Sequence, residues 1–345
     1  MYLEFFDIDM TASKNILNFL RSEAFSREIG TLYGESEFWK NLRNRTFVGI
    51  NSNAAMLYSG HNFTHYTPAK TFSNILIKYL TNFRFFRSII TRLHVTTLGL
   101  LRRISHYEKN NSVKYFDRKN YGAQHNDKVE KCFQEVMQYN ASKVYDSLEN
   151  LYSITPFLKD INEKETPMFF ELGAGAGLTV LSLLEYYPGS KAVIVDLPET
   201  ICVGYVLINF FSKGKYRIIL PDEAAQKGVD NVCQEREFDI LYLTPNQSDM
   251  IPDKYVDLCV NANSMQEMTM ETVRNYFTLI KKMGREQCIF YCKNLIQSKQ
   301  YEETKFDEYP WEMMGNVLYE GISPFASKNY PEGGNIAIKI VRVKK

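Results

Sequence analysis

Three glycines join an apolar segment to a helical pattern near the middle of the chain. Residues 168–172 form a continuous apolar run broken by one acid, which is typical of a short, fully buried strand. From 178 to 187, leucines recur at the spacing of one helix face. Between them, Gly173, Gly175 and Gly177 permit a sharp turn and let a ligand approach the backbone. The unit therefore predicts a ligand site at the amino end of a helix, where free N–H groups point outward.

The spacing of the glycines decides between two cofactor classes. A dinucleotide site has its third glycine three residues after the second, whereas here Leu178 takes that position. Glu171 ends the strand, and a carboxylate repels a pyrophosphate but attracts the ammonium or sulfonium of S-adenosylmethionine (SAM). A simple tight turn is the structural alternative. The SAM interpretation assigns cofactor contacts to Glu171, Gly173, Ala174, Gly175 and Gly177.

A second acid follows one strand–helix–strand unit later. Residues 191–195 are apolar and end at Asp196, with Leu197 and Pro198 next in sequence. An acid at the end of the second strand of a doubly wound sheet can accept hydrogen bonds from ribose hydroxyls. Alternatively, Asp196 would only cap the following helix. We expect Asp196 and Leu197 to contact the ribose side of the cofactor.

These motifs together resemble a known family. Glu-Leu-Gly-Ala-Gly-Ala-Gly at 171–177, Val-Asp-Leu-Pro-Glu at 195–199 and Asn-Ala-Asn-Ser-Met-Gln-Glu-Met at 261–268 are similar to motifs of bacterial sugar O-methyltransferases, which are class I SAM-dependent methyltransferases. The resemblance covers roughly residues 165–295. It implies methylation of a sugar hydroxyl, with a nucleotide-activated heptose or hexose as acceptor for a surface or capsular polysaccharide.

Strand and helix patterns alternate through the second half of the chain. This predicts an α/β fold with a Rossmann-like class I methyltransferase sheet, mostly parallel, with an antiparallel last strand. Residues 216–220 and 238–244 compete as third strand, and the latter is preferred. Further strands are expected at 256–263, 287–294 and, after a Gly333-Gly334 turn, 335–345. We place a mainly helical, basic acceptor or cap region at 1–150 and the SAM-binding catalytic domain at 151–345.

The N-terminal part has weaker signals. Helical patterns occur in 1–37, around Ile16, Phe19 and Leu20, and in 124–153. The remaining interpretations are a loop-rich stretch at 46–68, one or two basic amphipathic helices at 71–105 and a polar loop at 106–122. A basic amphipathic helix can lie on a membrane, but its apolar face more often joins the core.

The net charge of +1 hides an asymmetry. Residues 38–107 contain ten Lys and Arg and no Asp or Glu, so the rest of the chain carries an excess of negative charge. Such a segment favours an anionic partner: a nucleotide sugar, a polysaccharide or a membrane surface. Pairing with acidic faces of the fold, or of a second copy in a homo-oligomer, is the alternative. No nucleic-acid-binding motif accompanies the charge, so nucleic acid is not expected.

Compartment signals indicate a cytoplasmic protein. The first residues lack a basic start and an apolar core, so no secretory signal is expected, and no apolar run approaches the ~20 residues of a membrane span. Cys202, Cys259, Cys288 and Cys292 lie in apolar surroundings and are interpreted as buried thiols in a reducing compartment. No cysteine or histidine spacing suggests a zinc site.

Methyl transfer to a hydroxyl requires alignment and a base. Glu267 is the first candidate base, although it also fits a capping box with Ser264. His125 is the second candidate, with a surface or packing role as the alternative. Asn261, Asn263 and Ser264 are candidates for contacts to the SAM amino acid or the acceptor.

Other strand ends carry weaker candidates. Thr244 and Pro245 follow the preferred third strand and would line the adenine pocket. Lys293 and Asn294 would bind acceptor or be solvent-exposed. Asp249, Asp253 and Asp257 would hold Mg²⁺ in a metal-assisted mechanism, but Pro252 opposes the helix that would align them, and no metal is predicted. Three other functions stay open: methylation of another small molecule, lipid or protein, a non-catalytic SAM-binding module, and an NAD-linked oxidoreductase.

Overall fold

A computed structural model describes residues 2–26, 47–50, 54–59, 134–158, 166–297, 304–325 and 335–344. The strands in these ranges are β1 (Tyr2–Asp7), β2 (Phe47–Ile50), β3 (Ala54–Ser59), β4 (Met168–Leu172), β5 (Lys191–Val195), β6 (Ile218–Ile219), β7 (Ile240–Leu243), β8 (Val256–Ala262), β9 (Gly284–Leu295), β10 (Gly315–Ile322) and β11 (Ile336–Val343). The α-helices are α1 (Met10–Arg21), α2 (Glu23–Ser26), α3 (Gln134–Ile154), α4 (Leu178–Tyr186), α5 (Pro198–Ser212), α6 (Pro221–Lys227), α7 (Val229–Glu235) and α8 (Met270–Met283).

Eight strands form one mixed sheet in the order β10-β11-β9-β8-β4-β5-β7-β6. The pairs from β9 through β6 are parallel, whereas β11 runs antiparallel to both β9 and β10. The predicted Rossmann-like α/β fold with an antiparallel last strand is confirmed. The preference for 238–244 is also confirmed, because β7 lies beside β5, and the short β6 adds an edge strand beyond it.

Strand β10 was not predicted. Its sequence, Gly-Asn-Val-Leu-Tyr-Glu-Gly-Ile, contains two glycines and lacks a regular apolar alternation. Most of its residues are exposed or half-buried, since the strand lies at the edge of the sheet. Pairing with β11, rather than local pattern, therefore defines this strand.

The sheet is buried on both faces. On one face, β4 and β5 pack against the helices α3, α4 and α5, where Leu148, Leu181 and Leu207 are fully buried. On the other face, Val232 of α7 and Phe277 of α8 join a second core. Parallel strands covered on both faces need apolar residues in succession, which explains the runs seen in the sequence. The carboxyl ends of β4, β5, β7, β8 and β9 consequently share one edge.

The N-terminal segment follows the prediction only in part. Helix α1 is confirmed, with Ile16 and Phe19 in the core and Asp9 accepting the Ala12 N–H at 2.7 Å. Residues 2–7, assigned to a helical stretch, instead form β1, which pairs with β3. Part of the stretch predicted as loop is β2 and β3. Partners distant in sequence create these strands, so a local pattern does not reveal them.

Several earlier predictions concern other parts of the chain. Residues 60–133, which hold the basic helices, the polar loop, His125 and the start of the helix predicted at 124–153, lie outside the described residues, and so does the Gly333-Gly334 turn. Helix α3 runs through residue 150. The four thiols predicted to be buried, at positions 202, 259, 288 and 292, are confirmed as buried free cysteines. Within the described ranges, no helix combines the length and apolar character needed to cross a bilayer.

Helix α5 presses closely on the glycine-rich turn at Gly204. A Cβ placed there would lie 2.7 Å from the Tyr242 hydroxyl and 2.8 Å from the Gly175 carbonyl oxygen. Alanine normally favours a helix over glycine by about 1 kcal/mol. At Gly204 the close contacts should outweigh this helix preference, so alanine is expected to destabilise the fold. Overpacking a core costs about 1–3 kcal/mol.

We therefore expect Gly204→Ala to lower the free energy of unfolding, measured by urea denaturation. Adding Tyr242→Phe should restore only part of the loss, because it removes one close contact and the Gly175 carbonyl remains. The single Tyr242→Phe variant is the control, since the hydroxyl has no hydrogen-bond partner among the described residues. A Gly204→Ala protein as stable as the wild type would contradict this packing.

Candidate functional site

The glycine-rich turn connects the end of β4 to the start of α4 with three left-handed residues. The φ angles of Gly173, Gly175 and Gly177 are 68°, 56° and 72°. A Cβ on Gly173 would collide with the Ser264 side chain, and one on Gly177 would lie 2.5 Å from Ile208 Cδ1. At Gly175 a Cβ would meet nothing within 4 Å. Packing thus requires two of the glycines, while the third faces open space.

Glu171 lies directly beneath this turn and is 3% exposed. Burial raises its pKa from 4.5 to about 8, although hydrogen bonds from the Val180 N–H and the Thr179 side chain oppose the rise. Its Oε2 atom is buried and has no hydrogen-bond partner among the described residues. A buried carboxyl oxygen left unpaired is unfavourable, so this atom can accept a donor from a ligand.

A series of hydrogen bonds that starts at Tyr291 fixes the orientation of the Glu171 side chain. The Tyr291 hydroxyl donates to Asn150 Oδ1 at 3.0 Å, and Asn150 Nδ2 donates to Thr179 Oγ1 at 3.0 Å. The Thr179 side chain in turn bonds to Glu171. Strand β9, helix α3 and helix α4 therefore jointly orient one carboxyl group, as buried polar networks commonly do.

Asp196 directly follows β5 and holds the glycine-rich turn from the other side. Its Oδ2 accepts the Gly175 N–H at 2.9 Å, and its Oδ1 accepts the Leu197 N–H at 2.8 Å. Burial raises its pKa from 3.8 to about 7. The helix-cap alternative is wrong, because Leu197 rather than Asp196 is the N-cap residue of α5. The Thr200 side chain is a third partner of this carboxylate, which still has a lone pair unused. Ribose binding by Asp196 and Leu197 stays a prediction.

The segment after β8 is braced against β4. Asn261 is fully buried, and its Nδ2 donates to the Leu172 carbonyl at 3.0 Å and to Ser264 Oγ at 2.5 Å. Its Oδ1 accepts bonds from Asn294 Nδ2 at 2.8 Å and from the Met265 N–H at 3.3 Å. With all its amide bonds made internally, Asn261 does not present the direct ligand contact that we expected. It instead sets the position of the residues that follow it.

Glu267 lies in a single 3₁₀ turn, Met265–Glu267, and is 6% exposed. The capping-box alternative is wrong, because the Ser264 side chain makes no capping bond and donates to the Leu172 carbonyl at 3.2 Å. The role of Glu267 as base, and cofactor contact by Ser264, stay predictions.

Two polar residues near the end of β9, Lys293 and Asn294, are fully buried. The expectation that they are solvent-exposed is therefore wrong. Lys293 Nζ lies 2.7 Å from Asp146 Oδ1 and 3.0 Å from Glu149 Oε2. Burial alone would lower the pKa of Lys293, but the two carboxylates outweigh it and hold that pKa above its ordinary value.

Asp146 and Glu149 were not among the predicted site residues. They lie three apart on α3, and the charge of Asp146 contributes to the raised pKa of Glu171. The sequence contains one usable signal: two acids at this spacing share a helix face, and here Leu148 and Leu151 lie beside them. Acids beside an apolar stripe also occur on ordinary surface helices, so the sequence alone identifies neither their burial nor their partner Lys293.

The remaining candidates follow β7, lie at the opposite edge of the sheet, or belong to parts of the chain that are not described. Thr244 donates its N–H to Gln247 Oε1 at 3.0 Å, and an adenine contact by Thr244 and Pro245 stays a prediction. Asp257 accepts bonds from Arg285 and from the Met168 N–H at the amino end of β4, the opposite edge of the sheet. The described residues contain no group of three or more His, Cys, Asp or Glu placed to hold a metal.

Comparison with known proteins gives distant structural likenesses. No protein-family model matches the chain, and no curated protein matches its sequence. Geranyl diphosphate C-methyltransferase from Streptomyces coelicolor A3(2), solved with S-adenosyl-L-homocysteine, is 14% identical over 81% of this chain and 100% of its own, with a TM-score of 0.39.

Two further solved structures are similar to the chain at the same level. A geranyl diphosphate methyltransferase in complex with SAM is 11% identical, covering 68% of this chain and 97% of its own, with a TM-score of 0.41. The mitomycin 7-O-methyltransferase MmcR is 12% identical, covering 62% and 57%, with a TM-score of 0.40. Likenesses this distant carry no argument about chemistry, which rests on the residues of the site.

The raised pKa of Glu171 makes stability depend on pH. Between 4.5 and about 8 the folded protein binds more protons at this group than the unfolded chain, so the free energy of unfolding falls as pH rises through that window. Asp196 acts in the same direction between 3.8 and about 7. We expect Glu171→Gln to flatten this decline in urea denaturation between pH 5 and 8.

Glu237→Gln is the matched control, since it removes a carboxylate whose side chain is 68% exposed. This variant should keep the wild-type slope. An unchanged slope in Glu171→Gln would show that the buried group does not titrate in this range.

Proposed function

We propose that this protein is a SAM-dependent methyltransferase. The observation that carries the proposal is the unpaired, buried Oε2 of Glu171 beneath a turn whose middle glycine faces open space. The turn lies at the carboxyl edge of a mostly parallel sheet, where ligands of such folds bind. A cationic ligand can donate to the Glu171 oxygen and lie closely against the open face of the turn at Gly175.

The charge of the site supports a cation and opposes a dinucleotide. Glu171 and Asp196 are both buried and interact electrostatically with each other, so a pyrophosphate beside them would add further negative charge. A positively charged ligand favours the ionised carboxylates and lowers their pKa values. Cofactor binding near neutral pH should therefore release protons.

Asp196 and Ser264 hold the glycine-rich turn in the conformation that a cofactor would contact. Asp196 holds the Gly175 N–H, which keeps the turn in its left-handed course, and Ser264 packs on Gly173. Ala174 and Gly175 are half-buried, so this part of the turn is accessible from the crevice. When bound, SAM supplies an electrophilic methyl group on a sulfonium. The protein has to align an acceptor with it and exclude water.

For the acceptor, we infer a hydroxyl of a sugar, carried on a nucleotide diphosphate such as an activated heptose or hexose. Support comes from the resemblance of 171–177, 195–199 and 261–268 to sugar O-methyltransferases and from the positive charge of 38–107, which suits a diphosphate. Glu267 is the first candidate for accepting the hydroxyl proton, and His125 is the second. A polysaccharide-biosynthetic role follows from the same resemblance.

Gly175 offers a direct test of cofactor binding. Alanine there adds a methyl group to the open face of the turn without meeting protein atoms, so it should weaken binding of S-adenosylhomocysteine at least ~10-fold in calorimetry. Gly214→Ala is the control: its φ is 71° and a Cβ there would approach only Asp9 Oδ2, at 3.5 Å. Both variants carry left-handed strain of about 1–2 kcal/mol. Equal affinity in the two variants would exclude the turn as the cofactor site.

Activity is tested by incubating the protein with SAM and a panel of nucleotide sugars and reading a mass gain of one CH₂ by mass spectrometry. Transfer to a sugar oxygen is the expected result, and it should persist in the presence of a chelator. Normal cofactor affinity without transfer to any acceptor would indicate a binding module, and transfer to a non-sugar acceptor would overturn the sugar assignment. Displacement of bound cofactor by NAD would favour an oxidoreductase.

A further inference from the structure

Two buried glutamines follow strands of the sheet, each in a 3₁₀ turn at the carboxyl edge. Gln247 comes after β7 and Gln266 after β8, and they are 8% and 7% exposed. Oε1 of Gln247 accepts the Thr244 N–H at 3.0 Å, and Oε1 of Gln266 accepts the Leu295 N–H at 2.7 Å. Only the oxygen of an amide can accept an N–H, so each bond fixes which end of the side chain is the nitrogen.

The two glutamines differ at that nitrogen. Nε2 of Gln247 donates to the Pro221 carbonyl at 2.9 Å. Nε2 of Gln266 makes no hydrogen bond within the described ranges, and unlike Oε2 of Glu171 it retains accessible surface. An amide nitrogen in a largely buried side chain is unfavourable without a partner. Gln266 therefore presents a spare donor to the crevice.

The rest of Gln266 is held in place by buried groups. Its backbone N–H donates to Asn294 Oδ1 at 3.2 Å, and the Thr304 hydroxyl reaches its carbonyl oxygen at 3.5 Å. Asn294 is fully buried and donates to Asn261 Oδ1 at 2.8 Å. Amides from β8 and β9 thus fix the turn, so the donor needs no rearrangement to meet a ligand. A few polar groups placed in this way orient ligands and give a site its specificity.

The position of Gln266 separates it from the cofactor side of the site. It lies against the end of β9, whereas the glycine-rich turn follows β4, on the other side of β8. The next residue, Glu267, is the first candidate base. A hydroxyl that is methylated gives its proton to a base, and an amide nitrogen only donates, so Gln266 fits a different oxygen. The Glu267 carboxyl group beside it disfavours an anionic oxygen, which leaves a neutral hydroxyl.

We propose that Gln266 determines acceptor specificity by donating an N–H to a neutral hydroxyl of the acceptor, other than the one that receives the methyl group. This inference rests on the proposed function. It requires an acceptor with a second hydroxyl near the methylated one, as neighbouring positions of a sugar ring provide, and it disfavours compounds with an isolated hydroxyl. An analogue that lacks the second hydroxyl leaves the donor unpaired, which such a site penalises strongly.

Paired substrates test the assignment. The probes are UDP-glucose, GDP-mannose and ADP-heptose, each with its monodeoxy analogues, and the readout is kcat/KM for the mass gain of one CH₂. Removal of one hydroxyl, other than the methylated one, should lower kcat/KM of the wild type about 10- to 100-fold. Gln266→Met has a similar length and no donor. It should lose the same factor on the parent sugar and less than about threefold on that deoxy analogue.

Two further variants separate recognition from folding. Gln266→Glu keeps an oxygen for the Leu295 N–H and removes the donor, so it should show the same selective loss even if Gln266→Met folds poorly. Gln226→Met replaces an exposed amide on α6 and should match the wild type. Calorimetry should give affinities for S-adenosylhomocysteine within about threefold of wild type in all three variants, because Gln266 lies on the acceptor side.

The outcomes are distinct. Equal losses on parent and deoxy sugars in both Gln266 variants, unchanged activity of both on the parent sugar, or a wild type indifferent to every deoxy change overturns the assignment and leaves methyl transfer intact. Weaker cofactor binding in both Gln266 variants indicates a structural role and overturns it as well. A wild-type protein that methylates none of the sugars overturns the proposed acceptor class and the inference with it.

Discussion

A single buried carboxyl group, that of Glu171, is the constraint around which the site is built. A carboxyl group taken out of water must be protonated, paired or hydrogen-bonded. Here the Val180 N–H and the Thr179 side chain, both in the first turn of α4, supply bonds to the group, and its other oxygen stays unpaired. The helix start thus stabilises the buried group while leaving an acceptor for a ligand.

The surrounding elements can be understood as supports for that arrangement. The bonds from Tyr291 through Asn150 to Thr179 fix one side of the carboxyl group, and Asp196 fixes the glycine-rich turn on the other. Gly204 lets α5 approach this turn closely. An altered contact at any of these places would change the distance between the carboxyl oxygen and the turn. Functional sites often require such precise support from residues that never touch the ligand.

The site also concentrates negative charge at the expense of stability. Glu171 and Asp196 both have raised pKa values because they are buried, and Asp146 and Glu149 share one lysine. In the absence of a ligand, ionising Glu171 or Asp196 is unfavourable, chiefly because burial removes water from the carboxylate and to a smaller extent because nearby acids repel it. A bound cation would offset it, so ligand binding should stabilise the fold as well as occupy the crevice. The sequence shows the individual acids, but it does not show that the fold buries several of them close together.

The sequence by itself determined the parallel strands β4, β5, β7, β8 and β9 and the glycine-rich turn with the acids beside it. Apolar runs, glycine spacing and acids at strand ends are local signals, because buried parallel strands and tight turns restrict nearby residues directly. Only the tertiary structure decided the rest: β1 and β10 depend on distant partners, Asn261 is turned inward by bonds to β4 and β9, and Asp146, Lys293 and Asn263 meet from three elements. Hydrogen bonds and ion pairs between residues 33 to 147 positions apart depend on chain packing, which no local pattern encodes.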